Sequence, residues 1–235
     1  QLRRLPVVGG DTEGRDRESA PPLCAGGARG ACGLSDPAFP AAHRAPTLVI
    51  CTGHDLSLAL FDAGGALRAD LHRPLAAGHA EALVPAIAAL IADMAERPQR
   101  ILVEIGPGSF TGLRVGIAAA RALGLAWSAP VAGVRSTLLV AAAAQRAGGR
   151  GEALVALRAP RGQVWMEAID LATLASRSPP QALEPVAAAD RMARAALVVG
   201  SAIDPAATPR ASAASVLLPV HLGEPLPLYV RTPAA

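Results

Sequence analysis

From Thr47 onward the sequence switches back and forth between strand-like apolar runs and helix-like stripes, and few folds accept that order. Thr47 to Thr52 is a short apolar run. Leu56 to Phe61 follows, then the turn Asp62-Ala63-Gly64-Gly65, then Ala66 to His72. Runs joined by turns this tight predict antiparallel strands. After Gly78-His79-Ala80-Glu81, residues Leu83, Ile87, Leu90, Ile91 and Met94 recur at helical spacing, and Arg97-Pro98 ends the pattern. Ile101 to Ile105 reads as a buried strand, Gly106 to Thr111 as a glycine loop and Gly112 to about Trp127 as a second helix. Val131 to Val134 is a short strand, and Ser136 caps an alanine-rich helix ending near Gly148-Gly149. The first half thus reads β-β-β-α-β-α-β-α.

The second half begins in the same way. Glu152 to Arg158 and Gln163 to Asp170 form a hairpin across Ala159-Pro160-Arg161-Gly162. A helical segment near Ala187 to Ala195 and a strand from Ala196 to Val199 follow; the pattern then thins, and the end is extended through Leu226-Pro227-Leu228-Tyr229-Val230-Arg231. A meander followed by alternating helices and strands, present twice, predicts an α/β chain with a duplicated ribonuclease-H-like fold, its mixed sheets flanked by helices. The expected boundaries are 47–149 for the first unit and 150–235 for a smaller second one. Residues 1–46 are crowded with Gly, Pro, Arg, Asp and Glu and show no sustained period. They read as a disordered or mis-started extension, since such a stretch buries too little apolar area to offset its ordering entropy.

Composition removes several chemistries. All 22 basic residues are arginines, so a P-loop lysine and a Schiff-base lysine are both absent. A net charge of +3 without a dense basic stripe gives little support to nucleic-acid binding by the chain alone. Cys24, Cys32 and Cys51 form no CxxC pair, which fits a reducing cytoplasm. No apolar run reaches membrane-spanning length. The five histidines, His43, His54, His72, His79 and His221, include no pair four apart, so no helical zinc motif is present. Pro107-Gly108-Ser109-Phe110-Thr111 is not a nucleophile elbow.

The segment Gly106-Pro107-Gly108-Ser109-Phe110-Thr111-Gly112-Leu113-Arg114-Val115-Gly116 sits between a predicted strand and a predicted helix. One reading is an anion or nucleotide loop built from Gly106, Gly108, Ser109, Thr111 and nearby Arg114, at a helix start rich in unpaired N–H groups. The other is a tight turn whose glycines serve backbone geometry while Ser109 or Thr111 caps the helix. Along that helix Gly112, Gly116 and Ala120 recur every four residues, leaving a nearly flat face for close packing.

This strand, glycine loop and small-residue helix resemble the hallmark of the TsaB (YeaZ) family. Three further stretches agree: His79-Ala80-Glu81 with Leu83-Val84-Pro85, the hairpin Arg161-Gly162-Gln163-Val164-Trp165, and Pro227-Leu228-Tyr229-Val230-Arg231. The resemblance covers about residues 47–231. It implies an actin-like (ASKHA) fold and a non-catalytic scaffold role in making threonylcarbamoyladenosine at adenosine 37 of tRNAs that read ANN codons. The implied partners are a TsaD-like catalytic subunit and a TsaE-like ATPase, with tRNA met only through the complex. It also implies that the helices at 79–97 and 111–127 form the bundle with TsaD, which makes His79, Leu83, Ile87, Gly112, Leu113 and Gly116 the expected interface. When the partner is absent, an apolar helix pair is expected to form a symmetric homodimer.

Two departures bear on chemistry. Where the family's first strand runs into Asp-Thr-Ser, this chain has Cys51-Thr52-Gly53, and an Asp-Ala-Arg type sequence is replaced by Arg158-Ala159-Pro160-Arg161. Carboxylates at such strand ends hold metal in actin-like ATPases, so no cofactor is expected, ATP or ADP at the complex interface being the exception to test. The competing functions are a weak ATP- or ADP-binding actin-like ATPase and a degenerate metallopeptidase-like protein.

Overall fold

A computed structural model describes residues 45–92, 94, 96–218 and 223–230. Apart from Ala45 and Pro46, the extension read at 1–46 lies outside them, as do His43, His221, Cys24, Cys32 and Arg231.

The first three apolar runs form β1 (Thr47–Cys51), β2 (Leu56–Phe61) and β3 (Leu67–Arg73). They are followed by α1 (His79–Ile91), β4 (Arg100–Gly106), α2 (Phe110–Trp127), β5 (Val131–Arg135) and α3 (Ser136–Arg146). The sheet order is β3-β2-β1-β4-β5. β1 pairs antiparallel with β2 and parallel with β4. The second half supplies β6 (Glu152–Arg158), β7 (Val164–Asp170), β8 (Ala175–Ser176), β9 (Gln181–Leu183), α4 (Pro185–Arg194) and β10 (Val198–Val199). There β6 pairs antiparallel with β7 and parallel with β10. The same antiparallel-then-parallel arrangement around a central strand thus occurs in both halves, as a duplicated actin-like α/β fold requires.

Beyond shifts of a residue or two at element ends, three differences from the sequence reading stand out. Helix α1 ends at Ile91 rather than near residue 97, because Ala92 and Met94 donate to carbonyls three residues back and the chain tightens into a turn. The strand expected at Ala196 to Val199 shrinks to Val198–Val199. The third strand of the second meander is split into β8 and β9, both on β7.

One core joins the two sheets. Val49, Ala59, Leu102 and Ala132 of the first sheet share a buried cluster with Ala153, Val155, Leu157 and Ile169 of the second. Between them lie α3 and a short 3-10 segment, Ala211–Val216. Every residue from Ser136 to Ala142 is buried, so this part of α3 is apolar all round except for Ser136 and Thr137, which find hydrogen-bond partners inside. Its run of alanines lets two sheets approach a single helix. A second cluster packs α1 and α2 on the other face of the first sheet, through Leu83, Ile87, Ile117 and Ala120 against Leu48, Ile50 and Val103.

Candidate functional site

The glycine loop between β4 and α2 lies against the turn that follows β1. The Ser109 N–H donates to the Gly53 carbonyl at 2.6 Å. A Cβ on Gly108 would stand 2.7 Å from that same oxygen, so the approach of backbone to backbone requires glycine there. At Gly106, φ is +117° and a Cβ would lie 2.8 Å from the Leu228 carbonyl. Ser109 is the N-cap of α2, its hydroxyl accepting from the Gly112 N–H at 3.3 Å, while Thr111 is exposed. The loop's glycines therefore serve close packing, and its serine serves the helix.

The flat face of α2 is also spent inside the molecule. A Cβ on Gly112 would be 2.0 Å from the Thr52 carbonyl, and one on Gly116 would be 2.2 Å from Thr52 Oγ1. Thr52 Oγ1 in turn donates to the Gly112 carbonyl at 2.8 Å. Leu83, Ile87 and Leu113 are in the core. His79 is buried too, with Nε2 at 3.2 Å from the His54 carbonyl. The six residues expected at a partner interface face inward in this chain, because α1 and α2 pack on their own sheet. What this helix pair offers to the outside is its opposite face.

That opposite face carries large exposed apolar side chains. Of the eight large hydrophobic residues with high exposure among the described residues, Val84 on α1 and Phe110 and Leu125 on α2 belong to the helix pair, and Leu226 and Tyr229 belong to the C-terminal segment. Val84 is 64% exposed and Leu125 86%. The segment runs beside α2: Leu228 N–H donates to the Ile105 carbonyl at 2.7 Å, Gly133 and Gly223 exchange backbone hydrogen bonds, and Arg121 donates to the Pro225 carbonyl at 3.0 Å.

Sequence reasoning passed over two buried carboxylates. Glu104 on β4 is fully buried. It accepts from Thr52 N–H at 2.9 Å, Gly53 N–H at 2.6 Å and the Ser136 hydroxyl at 2.6 Å, while His54 Nδ1 stands 3.5 Å away, at ion-pair rather than hydrogen-bond distance. Burial pushes its pKa up, but the neighbouring His54, the Ser136 hydroxyl and the Gly53 N–H together hold it below the usual glutamate range. Glu167 on β7, equally buried, accepts from Arg135, from the Thr137 hydroxyl and from the Ser176 hydroxyl at 2.6 Å. Two adjacent residues at the start of α3, Ser136 and Thr137, therefore hold one carboxylate from each sheet. The only trace in the sequence is a single acid inside each apolar strand, Ile-Leu-Val-Glu104-Ile and Val-Trp-Met-Glu167-Ala.

Glu104 also decides what the turn after β1 can bind. Two successive backbone N–H groups aimed at one point form an anion site, and here the chain fills it with its own carboxylate. Among the described residues no group of three metal-ligating side chains stands together, and no described helix is long and apolar enough to cross a membrane. Cys51 is buried and free; burial, with the Glu104 charge behind it, pushes its thiol pKa well up.

The chain is similar to known proteins on three counts. A family model described as "TsaD: tRNA N6-adenosine threonylcarbamoyltransferase" matches residues 73–213. Over 63 residues the chain is 43% identical to the tRNA threonylcarbamoyladenosine biosynthesis protein TsaB of Escherichia coli (strain K12), a stretch covering 26% of this chain and 27% of that protein. Over 95 residues it is 40% identical to an uncharacterized protein of Mycobacterium tuberculosis (strain ATCC 25618 / H37Rv), covering 38% of this chain and 42% of the relative. The matched stretch thus spans less than half the length of either curated relative. Among solved structures, YeaZ from Pseudomonas aeruginosa has a TM-score of 0.64 at 21% identity, covering 79% of this chain and 99% of that one, which establishes the common fold.

Proposed function

The chain belongs to the TsaB (YeaZ) family, and from that premise we propose that it is a non-catalytic scaffold subunit for threonylcarbamoylation of adenosine 37 in tRNAs that read ANN codons. It binds a TsaD-like catalytic subunit through the outer face of α1 and α2. A TsaE-like ATPase joins that complex, tRNA is met through the complex, and without its partner the chain pairs with a second copy through the same face. The halves 47–149 and 150–235 are the two repeats of the duplication.

The observation that carries this reading is the exposure of Val84, Phe110 and Leu125 on two adjacent helices, continued by Leu226 and Tyr229. Large apolar side chains gathered on one helical surface mark an interaction site. The ATPase alternative loses support at the turn after β1, where the Thr52 and Gly53 N–H groups are occupied by Glu104. A phosphate would have to displace a buried, hydrogen-bonded carboxylate.

The test is affinity for the cognate TsaD-like subunit, measured by calorimetry on the full chain with Leu125→Glu and Val84→Glu. Both positions are exposed, so the melting temperature should hold within about 2 °C. A buried charge at an apolar interface should weaken binding by about a hundredfold. Unchanged affinity in both variants, or tight magnesium-dependent ATP binding by the isolated chain, would overturn the reading.

A further inference from the structure

At the N-terminal end of α2 the surface carries a cluster that packing within the chain does not require. The Phe110 and Tyr229 rings stack with centroids 5.2 Å apart and both side chains are exposed. The Arg114 guanidinium lies over the Phe110 ring, 3.7 Å from its centroid, and its Nε–H donates to the Tyr229 hydroxyl at 2.9 Å. The arginine is thereby held by stacking on one side and by a directed hydrogen bond on another. Its terminal N–H donors meet no acceptor among the described residues.

A second arginine stands two turns along the same helix. Arg121 donates to a backbone carbonyl, that of Pro225, and to no carboxylate among the described residues. Helix α2 contains no Asp or Glu, and α1 contains one, Glu81. The outer face therefore combines exposed apolar area with two guanidinium groups that meet no carboxylate among the described residues.

We infer that Phe110, Arg114 and Tyr229 form a preorganised clamp that receives a carboxylate from an acidic helix of the partner subunit, with Arg121 taking a second acid further along. This inference rests on the scaffold reading and adds the chemistry of what docks. An arginine fixed by an aromatic face and one hydrogen bond has already lost much of its side-chain freedom, so its remaining donors engage a planar carboxylate at low entropic cost. Tyr, Phe and Arg grouped with exposed apolar side chains is the usual composition of a binding hot spot. Two arginines among Val84, Leu125 and Leu226 are too few for a nucleic-acid site, which needs many phosphate contacts.

Binding of the full chain to the purified cognate TsaD-like subunit provides the test, run at low and moderate salt. Arg114→Glu should weaken it by roughly 30-fold or more, since it sets like charges against each other. Arg114→Lys, which keeps the charge but loses the planar fork, should lose about tenfold. Tyr229→Phe, which keeps the ring and removes the hydroxyl that orients the guanidinium, should lose about threefold to tenfold. Arg150→Glu, on an exposed arginine whose contact is its neighbour's carbonyl, should change nothing. All three sites are exposed, and unchanged thermal melts confirm the fold. Failure of the unmutated chain to bind the subunit would sink the scaffold reading itself. Wild-type binding that survives both Arg114 substitutions would sink the clamp alone. Loss of tRNA binding without loss of subunit binding would transfer the cluster to nucleic acid, and loss of self-association alone would transfer it to the homodimer. Either result overturns the inference.

Discussion

Replacing Glu104 by glutamine separates the charge of the buried carboxylate from its shape. The native group accepts three hydrogen bonds, from Thr52 N–H, Gly53 N–H and the Ser136 hydroxyl. Bonds to an ionised acceptor contribute about 1.5–3 kcal/mol each, against about 0.5–1.5 for neutral pairs. A glutamine oxygen can still accept from the two backbone N–H groups, and the serine hydroxyl can rotate to accept from the new amide. The lost charge assistance, at most about 3 to 4 kcal/mol over three bonds, is offset by no longer burying a charge. A net loss of about 1 to 2 kcal/mol is expected for Glu104→Gln at neutral pH. Glu104→Ala, which strands two buried N–H groups and leaves a cavity, should cost about 3 to 6 kcal/mol. Urea unfolding followed by the fluorescence of Trp127 and Trp165 measures both. The pH dependence is the sharper check. The folded carboxyl titrates below the usual glutamate range, so its ionised form contributes fully above the unfolded pKa of about 4.3 and that contribution is lost as pH falls through the lower folded value. The gap between wild type and Glu104→Gln should therefore close as pH drops from 7 toward 3. A gap that stays constant or widens would mean that the carboxylate is not ionised in the native state, and the reasoning about the turn after β1 would fall with it.

Gly116→Ala should cost about 2 to 4 kcal/mol, because its Cβ would stand 2.2 Å from Thr52 Oγ1; pairing it with Thr52→Ala removes the obstructing atom, so the double variant should be at least about 1 kcal/mol better than the sum of the singles. Simple additivity would show that this contact does not limit the residue at position 116. In a Cys24→Ser, Cys32→Ser background, the Cys51 thiol should react with a disulfide reagent at neutral pH no faster than the chain unfolds, being buried with a raised pKa. A fast stoichiometric phase would count against the packing around β1.

Much of the frame was legible because its elements differ in period. Glu152 to Arg158 reads as a strand and is one, residue for residue, since an unbroken apolar run and a hairpin turn coincide there. The split of the third strand into β8 and β9 was hidden because each is three residues or fewer, too short to show a period. The carboxylates were hidden for another reason. A lone acid in an apolar strand is invisible to a pattern that counts apolar positions, and its partners come from distant segments: Thr52 and Ser136 are 52 and 32 residues away from Glu104.

The residues most legible on α1 and α2 are the ones that face inward. Leu83 and Ile87 make the helical stripe, and Gly112 and Gly116 recur every four residues. A stripe is visible in a sequence when it packs on something present in every copy of the fold, and the surface always present is the chain's own sheet. Leu83 and Ile87 accordingly meet Leu48 and Ile50, and Gly116 meets Thr52. A surface fit to meet a partner shows up instead as a violation: Leu125 and Val84 break the polar complement of their helices, and Arg114 meets no acid among the described residues. On an amphipathic helix the regular residues report the interior, and the apolar exceptions on the far side report the neighbour.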